Sequence, residues 1–396
     1  MTVRRRGFTF PLFLFASSLA AFGILGCGRF DAQPEPPKDA SRAGSGDKSN
    51  TESLSGTGTK SDIAAPSASN VAFVPKRVTG GGQAMGTIVD LAAFTTPSLS
   101  EDAITQALRE AFEEIRRVEH VMTTWDKDAV LSRVNESAGK APVVVDDETL
   151  SVIEEARKMN ERSSGTFDIT FESMHGLWKF DQDLDPHPPD EAKIKDILPF
   201  VGNKHIVIDR EKKTVFLDKA RTKISLGGIA KGYGVDRAKK VLDDKGIASF
   251  YIKAGGDLFA RGHKPDGSEW SAGIRDPRGP SESFFAILPL SDHAFSTAGD
   301  YERSYLKDGK RYHHILDPRT GHPATACRSV TIWAESALIA DAIDDAVFIL
   351  GPEKGLALVE DTPGVGAVIV DAKNKVWISK RLEGKLRVTR EPTDGI

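Results

Sequence analysis

Three stretches of the sequence carry the three-to-four-residue spacing of apolar positions that is typical of a helix. The longest begins near Ser98 and Glu101, which have the spacing of a capping box. Its apolar positions are Ile104, Leu108, Ala111, Ile115, Val118 and Met122. A second helix is predicted over about 148–162, and a third begins after Ile229 and ends at Gly246. We expect the first of these helices to be core scaffold.

Strands are predicted between the helices, where apolar and polar residues alternate. His205 to Asp218 has the pattern of a hairpin, with two alternating strands joined by a charged turn. Between Arg77 and Phe94 a strand is interrupted by glycines, with a bend at Met85. Further strands are predicted over 249–253, 270–274 and 284–290.

The stretch ISLGGIAKGYGVD, residues 224–236, is typical of a strand-to-helix turn. Gly227 and Gly228 lack a Cβ, so the backbone there can adopt positive φ and a ligand can approach closely. The free amides that open the helix, together with Lys231, suit a phosphate group. The spacing matches neither the dinucleotide fingerprint nor the P-loop, so a tight turn with a solvated lysine is the competing interpretation.

A helix predicted over 336–350, SALIADAIDDAVFIL, is apolar nearly all round and should be buried. It nevertheless contains Asp341, Asp344 and Asp345. Asp341 and Asp345 share a helix face, and buried like charges require a compensating cation. A hard divalent ion such as Mg²⁺, bound by carboxylate oxygens, is one interpretation. In the alternative, Asp344 and Asp345 face solvent and only Asp341 is buried, paired with an arginine.

Two further features carry candidate chemistry. His313 and His314 are adjacent, and neighbouring side chains of an extended strand point to opposite faces. We therefore expect one of them to face a site and the other to face the core or solvent. Gly-Asp pairs at Asp257 and Asp300 follow predicted strands, where ligands often bind, although the same pairs are common in ordinary turns.

Composition bounds the class of protein. A chain of 396 residues that is 39% hydrophobic can form one large domain or two lobes. The formal net charge of -4 is spread along the chain without a basic block, which argues against a nucleic-acid partner.

The N-terminus has the pattern of an export signal. Arg4 to Arg6 precede an apolar run from Phe8 to Leu25, and Gly26 and Cys27 follow. This pattern predicts a lipoprotein signal peptide over residues 1–26 and lipidation of Cys27, with an uncleaved membrane anchor as the alternative. The arginines also loosely resemble a twin-arginine signal.

Residues 27–70 are rich in Ser, Gly and Pro and contain few large apolar residues. Such a segment buries too little apolar surface to fold, so it is predicted to be a disordered tether. We expect a lipid-anchored protein of the bacterial cell envelope that faces the periplasm. The other cysteine, Cys327, is predicted to be a small packed residue.

Seven segments, in this order, resemble the ApbE family of FAD:protein FMN transferases, over about Val74 to Lys380. The segments are Met85-Gly86-Thr87, Gly165-Thr166-Phe167-Asp168, 226–233, Ala254-Gly255-Gly256-Asp257, 296–301, 314–321 and Ala340-Asp341-Ala342.

The resemblance implies a T-fold-like α+β architecture for a transferase domain over residues 71–390, with mixed and antiparallel sheets packed with helices. It implies Mg²⁺-dependent transfer of FMN from FAD to a Ser or Thr hydroxyl of a target flavoprotein, through a phosphoester bond, with release of AMP. The acceptor expected for the family is a flavoprotein subunit of an envelope electron-transfer complex.

Site residues also follow from the resemblance by position. It implies His314 as general base and the Gly228 carbonyl, Asp341 and Asp345 as metal ligands, although Asp345 stands where the family usually has Thr. The FAD site would be lined by Met85, Trp125, Thr166, Phe167, Asp168, Ser225, Lys231 and Ile315.

Two other functions stay open. The same site with water as acceptor would make the protein an FAD pyrophosphatase that gives FMN and AMP. A non-catalytic FAD-binding lipoprotein is the third possibility, and the presence of Asp341 and His314 argues against it.

Overall fold

The computed structural model describes residues 73–181 and 183–395. The predicted signal peptide, the tether and Cys27 lie outside the described residues, and the domain bounds of 71–390 stay a prediction. The compact unit described below begins at Pro75. Within the described part of the chain, no helix is both long and apolar enough to cross a membrane.

Helices and strands are mixed along the chain. The helices are α1 (Glu101–Met122), α2 (Val130–Glu136), α3 (Asp147–Arg162), α4 (Glu191–Ile197), α5 (Ala230–Asp244), α6 (Ala337–Leu350) and α7 (Pro352–Glu360). The first nine strands are β1 (Arg77–Ala84), β2 (Thr87–Phe94), β3 (Val143–Val144), β4 (Ile206–Asp209), β5 (Thr214–Leu217), β6 (Phe250–Ala254), β7 (Asp257–Arg261), β8 (Ser271–Arg275) and β9 (Phe284–Pro289). The others are β10 (His293–Gly299), β11 (Ser304–Lys307), β12 (Lys310–His313), β13 (Leu316–Asp317), β14 (His322–Pro323), β15 (Cys327–Ala334), β16 (Gly366–Asp371), β17 (Val376–Ile378) and β18 (Arg387–Val388).

An eight-stranded antiparallel sheet forms the centre, in the order β1-β2-β6-β7-β10-β15-β16-β17. One face packs against α1, α5 and α6, and the other packs against the smaller sheet β18-β9-β8. Every residue of β15 is buried, as expected for a strand covered on both faces. Cys327 lies in this strand as a buried free thiol, as predicted.

Helix α1 is the long amphipathic helix predicted from the apolar spacing, and all six of its predicted apolar positions are buried. The prediction of its N-terminus was wrong by two residues. Ser100, rather than Ser98, is the N-cap and accepts a hydrogen bond from Ala103 N. Ser98 instead lies in the preceding turn, where its hydroxyl contacts Thr96.

The segment before Lys231 differs from the prediction. Residues 221–226 form no strand, so α5 follows an irregular loop. Asn135 of α2, a helix that the apolar spacing did not predict, holds this loop by bonding both backbone polar groups of Ile224. Neither Gly227 nor Gly228 has positive φ. Glycine at position 228 is explained by close packing against the Phe167 ring rather than by backbone conformation.

Candidate active site

Helices α5 and α6 cross at the centre of the candidate site. Gly232 makes this possible, because a Cβ there would lie 2.2 Å from the Ala337 carbonyl oxygen. The close approach lets the Gly232 amide donate to Asp341 Oδ2 at 2.9 Å. The other oxygen of Asp341 accepts from Lys231 Nζ at 2.7 Å. The first turn of α5 therefore places an ammonium and an amide on the same carboxylate.

Asp257, at the start of β7, is the second carboxylate that contacts the ammonium. Its Oδ2 lies 3.3 Å from Lys231 Nζ, and its Oδ1 accepts from Ser296 Oγ at 2.7 Å. Ser296 Oγ also lies 2.6 Å from Asp344 Oδ2. A hydroxyl carries one proton, so the pair of short contacts requires a further proton on Asp257 or Asp344. Burial raises the pKa of Asp344 well above its usual range and that of Asp257 to about 7.

Asp341 and Asp344 are both 4% exposed, and Asp345 is partly buried. The alternative interpretation, with two solvated aspartates and one paired with an arginine, is therefore wrong. The partner of Asp341 is Lys231, and Asp344 faces Ser296. Lys231 is not a solvated lysine either, because it is held between two carboxylates, and these raise its pKa despite its burial. We call Asp257, Asp341, Asp344 and Asp345 the acidic cluster.

Asp345 lies beside Gly228 and Phe167. A Cβ on Gly228 would lie 3.3 Å from the Phe167 ring and 3.7 Å from Asp345 Oδ2. Within the described part of the chain, no side chain donates a hydrogen bond to the Asp345 carboxylate. Burial raises its pKa to about 6. This carboxylate therefore has room and oxygen atoms for a further partner.

The donor chemistry of this region fits a hard divalent cation. Carboxylate oxygens exceed the one ammonium that contacts them, and Mg²⁺ prefers oxygen ligands. No group of three or more Asp, Glu, His or Cys side chains in residues 73–181 and 183–395 is already arranged around a metal position. The two carboxylates nearest Lys231 are arranged around its ammonium instead.

His314 follows β12, and its amide donates to the Arg303 carbonyl at 3.1 Å. Its ring Nδ1 is buried and has no hydrogen-bond partner in the described structure. Burial lowers the pKa of His314 to about 3, and the charges of Arg303 and Lys231 act in the same direction. The imidazole is therefore neutral at pH 7, with an unpaired ring nitrogen. His313 is the last residue of β12 and is buried, in agreement with the expectation that one ring of the pair faces the core, whereas His314 lies in the bend that follows the strand.

Two of the predicted FAD-site residues use their polar atoms within the protein. Asp168 accepts from Thr170, Asn160 and the Asn203 amide, so its oxygens shape the loop after α3. The Thr166 hydroxyl bonds the carbonyls of Ser163 and Ala346, which joins this loop to α6.

The remaining predicted residues surround the two helices or lie at the surface. Met85 occupies the β1–β2 turn with φ of 52°, and its Sδ would lie 3.2 Å from a Cβ on Gly234 of α5. Ser225 Oγ accepts from Gly227 N at 3.2 Å, and Ile315 is buried. Trp125 follows α1 and is 85% exposed, with its ring edge against His175. The structure thus brings together Lys231, Gly228, Phe167, Asp341 and Asp345, but does not enclose Trp125 with them.

The model of the ApbE family matches residues 85–369, which is most of the described chain. The chain belongs to the ApbE family. Curated ApbE relatives carry the name FAD:protein FMN transferase. The one from Treponema pallidum is 33% identical over 77% of this chain and 87% of its own length. The one from Vibrio cholerae is 31% identical over 70% of this chain and 83% of its own length.

Solved ApbE structures have the same fold. The ApbE protein of Thermotoga maritima superposes with a TM-score of 0.70 at 32% identity, over 78% of this chain and 99% of that one. The flavin transferase ApbE from Vibrio cholerae gives 0.69 at 28% identity, over 79% and 100%. The predicted family, enzyme class and α+β architecture are thereby confirmed.

The structure of this ApbE-family chain adds two residues to the site that the sequence prediction did not assign. Asp257 and Ser296 connect Lys231 to Asp344. Asp257 ends the segment Ala254-Gly255-Gly256-Asp257 and Ser296 begins the segment 296–301, so the motifs themselves marked both positions. What the sequence did not show is that β7 and β10 are neighbours in the sheet.

Proposed function

We propose that this chain transfers FMN from FAD to a Ser or Thr hydroxyl of a target flavoprotein and releases AMP. The acceptor oxygen forms a bond to the FMN phosphorus, and the phosphorus–oxygen bond to AMP breaks. The hydroxyl proton goes to His314, and the bridging oxygen leaves with AMP. The proposal rests on the ring Nδ1 of His314, which is buried and has no hydrogen-bond partner in the described structure. The charge of Lys231 acts on this ring and contributes to its lowered pKa.

A neutral histidine is suited to this step. It can accept a proton only when its ring is neutral and has a free nitrogen; the lowered pKa keeps the His314 ring neutral, and its Nδ1 has no hydrogen-bond partner in the described structure. A pKa of about 3 makes it a weak base in the unliganded site. The negative charge of bound FAD beside the ring would stabilise the imidazolium and raise that pKa during turnover.

We further propose that the Gly228 carbonyl, Asp341 and Asp345 hold Mg²⁺, which would neutralise charge on the diphosphate. The carboxylate excess and the unpartnered Asp345 support this assignment. Asp345 gives this chain one more negative ligand than the Thr usual in the family. The exposed indole of Trp125 is available to stack on the flavin ring, together with the other predicted FAD-site residues.

For the cellular setting, we propose a lipid anchor at Cys27, a site facing the periplasm, and an acceptor that is a flavoprotein subunit of an envelope electron-transfer complex. The N-terminal pattern of basic, apolar and small residues before Cys27 supports the anchor. Labelling cells with a fatty-acid analogue tests this directly. The wild-type chain should be labelled, and Cys27→Ala should lose the label.

Intact-mass spectrometry of a candidate acceptor subunit tests the transfer, after incubation with the protein, FAD and Mg²⁺. The expected result is a gain of one FMN unit that disappears with chelator and in His314→Ala, while His314→Ala still binds FAD. AMP release with no gain on any acceptor would favour the pyrophosphatase. FAD binding without AMP release would overturn the catalytic proposal.

A further inference from the structure

His313, the neighbour of the proposed base, has no part in the chemistry described so far. It is 3% exposed, and both of its ring nitrogens have backbone partners. Nε2 lies 2.8 Å from the Ala324 carbonyl oxygen, and the Ile315 amide nitrogen lies 3.3 Å from Nδ1. His314, in contrast, has an unpaired Nδ1. The two adjacent rings therefore differ in what their nitrogens can do.

The partners of His313 define its protonation. The Ile315 amide can only donate, so Nδ1 must be unprotonated and accept. The Ala324 carbonyl can only accept, so Nε2 must carry the proton. Only the neutral Nε2-protonated form satisfies both bonds. Burial also lowers the pKa of His313, which is consistent with a neutral ring.

The same two bonds fix the backbone around His314. His313 ties Ile315, one residue beyond His314, to Ala324, and the Ala324 amide donates back to the Ile315 carbonyl at 3.0 Å. On its other side the His313 ring contacts Phe348 of α6, edge to face, with centroids 5.5 Å apart. One side chain thus connects the segment that carries His314 to the helix that carries Asp341 and Asp345.

We propose that His313 is a positioning residue, which sets the location of the His314 ring relative to the acidic helix α6. This inference rests on the proposed function, because it takes His314 as the base. A substitution at position 313 that removes both hydrogen bonds should leave substrate binding intact and slow the chemical step. An error of about 1 Å in the position of a catalytic group can cost about 100-fold in rate.

Three substitutions distinguish the effect of the two His313 hydrogen bonds from the effect of side-chain volume. His313→Phe keeps an aromatic ring against Phe348 and removes both bonds. His313→Gln keeps a donor for the Ala324 carbonyl, and His313→Asn keeps an acceptor for the Ile315 amide. We expect kcat for FMN transfer to fall about 10- to 100-fold in His313→Phe, with KM for FAD unchanged. His313→Gln and His313→Asn should each recover part of the rate.

His293→Phe is the matched control, because it replaces a half-buried histidine that is stacked on Trp333 and bonded to the Ser291 carbonyl, in a different part of the fold. Its kcat should equal that of wild type. A second readout does not depend on activity. Nitrogen-15 NMR of the imidazole rings in the wild-type protein should show a signal of the neutral Nε2-protonated tautomer from pH 6 to 8 that is assigned to His313 by its loss in His313→Phe, and the same substitution should shift the signal of His314.

Wild-type kcat in His313→Phe, or a fall in kcat matched by an equal loss of FAD binding, would overturn the positioning role. A His313 ring protonated at Nδ1 would also overturn it, even if every variant failed to fold. Failure of the proposed function looks different. In that case His314→Ala transfers FMN as well as wild type does, or wild type transfers none, while the His313 tautomer in the NMR spectrum is unaffected.

Discussion

Two charged clusters pack against α5, and they differ in how their charges balance. Where α1, α3 and α5 meet, Arg117 bonds Glu114 and Glu148, and Arg237 bonds Glu114. Two acids face two bases, and hydrogen bonds from Arg117 lower the pKa of both glutamates. The acidic cluster has four carboxylates and one lysine, whose ammonium contacts two of them, and burial raises the pKa of Asp257, Asp344 and Asp345.

The two clusters that pack against α5 therefore differ in role. The balanced cluster is satisfied by the chain itself, so it serves to join three helices. The acidic cluster keeps carboxylate charge that its lysine does not offset, which is costly unless a cation or a shared proton compensates. Such unbalanced burial is typical of a site built for a ligand.

The largest effect expected from this comparison is on activity. Asp341→Ala removes the carboxylate that holds both Lys231 and the Gly232 amide, and it removes a proposed Mg²⁺ ligand. FMN transfer should fall by about 1,000-fold or more, since charge stabilisation at the reacting phosphorus is lost. Steady-state AMP release and acceptor mass measure it. Activity close to wild type, unaffected by chelator, would contradict the metal assignment.

The pH dependence of stability should have opposite sign in the two clusters. The pKa of Asp257 is raised to about 7, so its folded form binds a proton more tightly than its unfolded form. Stability of the metal-free protein should therefore decline as pH rises from about 4 to 7 and level off above that range. Thermal unfolding in chelator should show a Tm several degrees lower at pH 8 than at pH 5.

Asp257→Asn is the control for this measurement, because it cannot ionise. Its Tm should decline less over the same pH range. An identical decline in both proteins would assign the effect to other groups. The glutamates of the balanced cluster have lowered pKa values, so they lose their stabilising contribution in acid instead.

The rate of transfer should also have an unusual pH profile. With the pKa of His314 lowered to about 3, the free enzyme keeps its base neutral well below the usual value for histidine. We expect kcat/KM for FAD to show no loss of activity near pH 6.5 that depends on His314, so any loss caused by protonation of Asp257 or Asp345 should also appear in the residual activity of His314→Ala. A loss of kcat/KM near pH 6.5 that wild type shows and the residual activity of His314→Ala lacks would contradict this prediction. It would mean that the His314 ring is exposed to solvent and has an ordinary pKa.

The smallest effect is expected in the balanced cluster. Glu148→Gln weakens its bonds with Arg117 and Tyr233, which are partly exposed. Urea unfolding should show a loss of about 0.5–1 kcal/mol, the range of partly screened ion pairs. FMN transfer should stay near wild type. A large loss of transfer would mean that this junction also acts on the site.

The sequence predicted best where one local pattern was sufficient. Helix α1 follows from its apolar spacing, although its N-cap was predicted two residues too early, and helix α6 follows from a nearly continuous apolar run that begins after Ser336, because these features act within a few residues. The chain before α5 is an irregular loop, whereas residues 224–236 were predicted as a strand-to-helix turn, since Ile224 and Leu226 fit the end of a strand. Their burial comes instead from packing in the core, and Asn135 supplies the backbone bonds of Ile224.

For the candidate site, the sequence identified several of the residues but not the contacts between them. The motifs identified Lys231 and Asp341, yet the ammonium between two carboxylates depends on the crossing of α5 and α6. The contact of Asp257 with Ser296 joins residues that are 39 positions apart. The pairing of β7 with β10 brings them together, and no local pattern carries that information.

The order of strands in the central sheet also bears on how the protein is made. Strand β2 pairs with β6, so Val89 can pair with Ala254 only after the ribosome has added the 165 residues that lead to it. At synthesis rates of roughly 5–20 residues per second, the N-terminal hairpin is exposed without its partner for about ten seconds or more. Closing so long a loop is slow, which makes this chain a candidate client for chaperones before its sheet is complete.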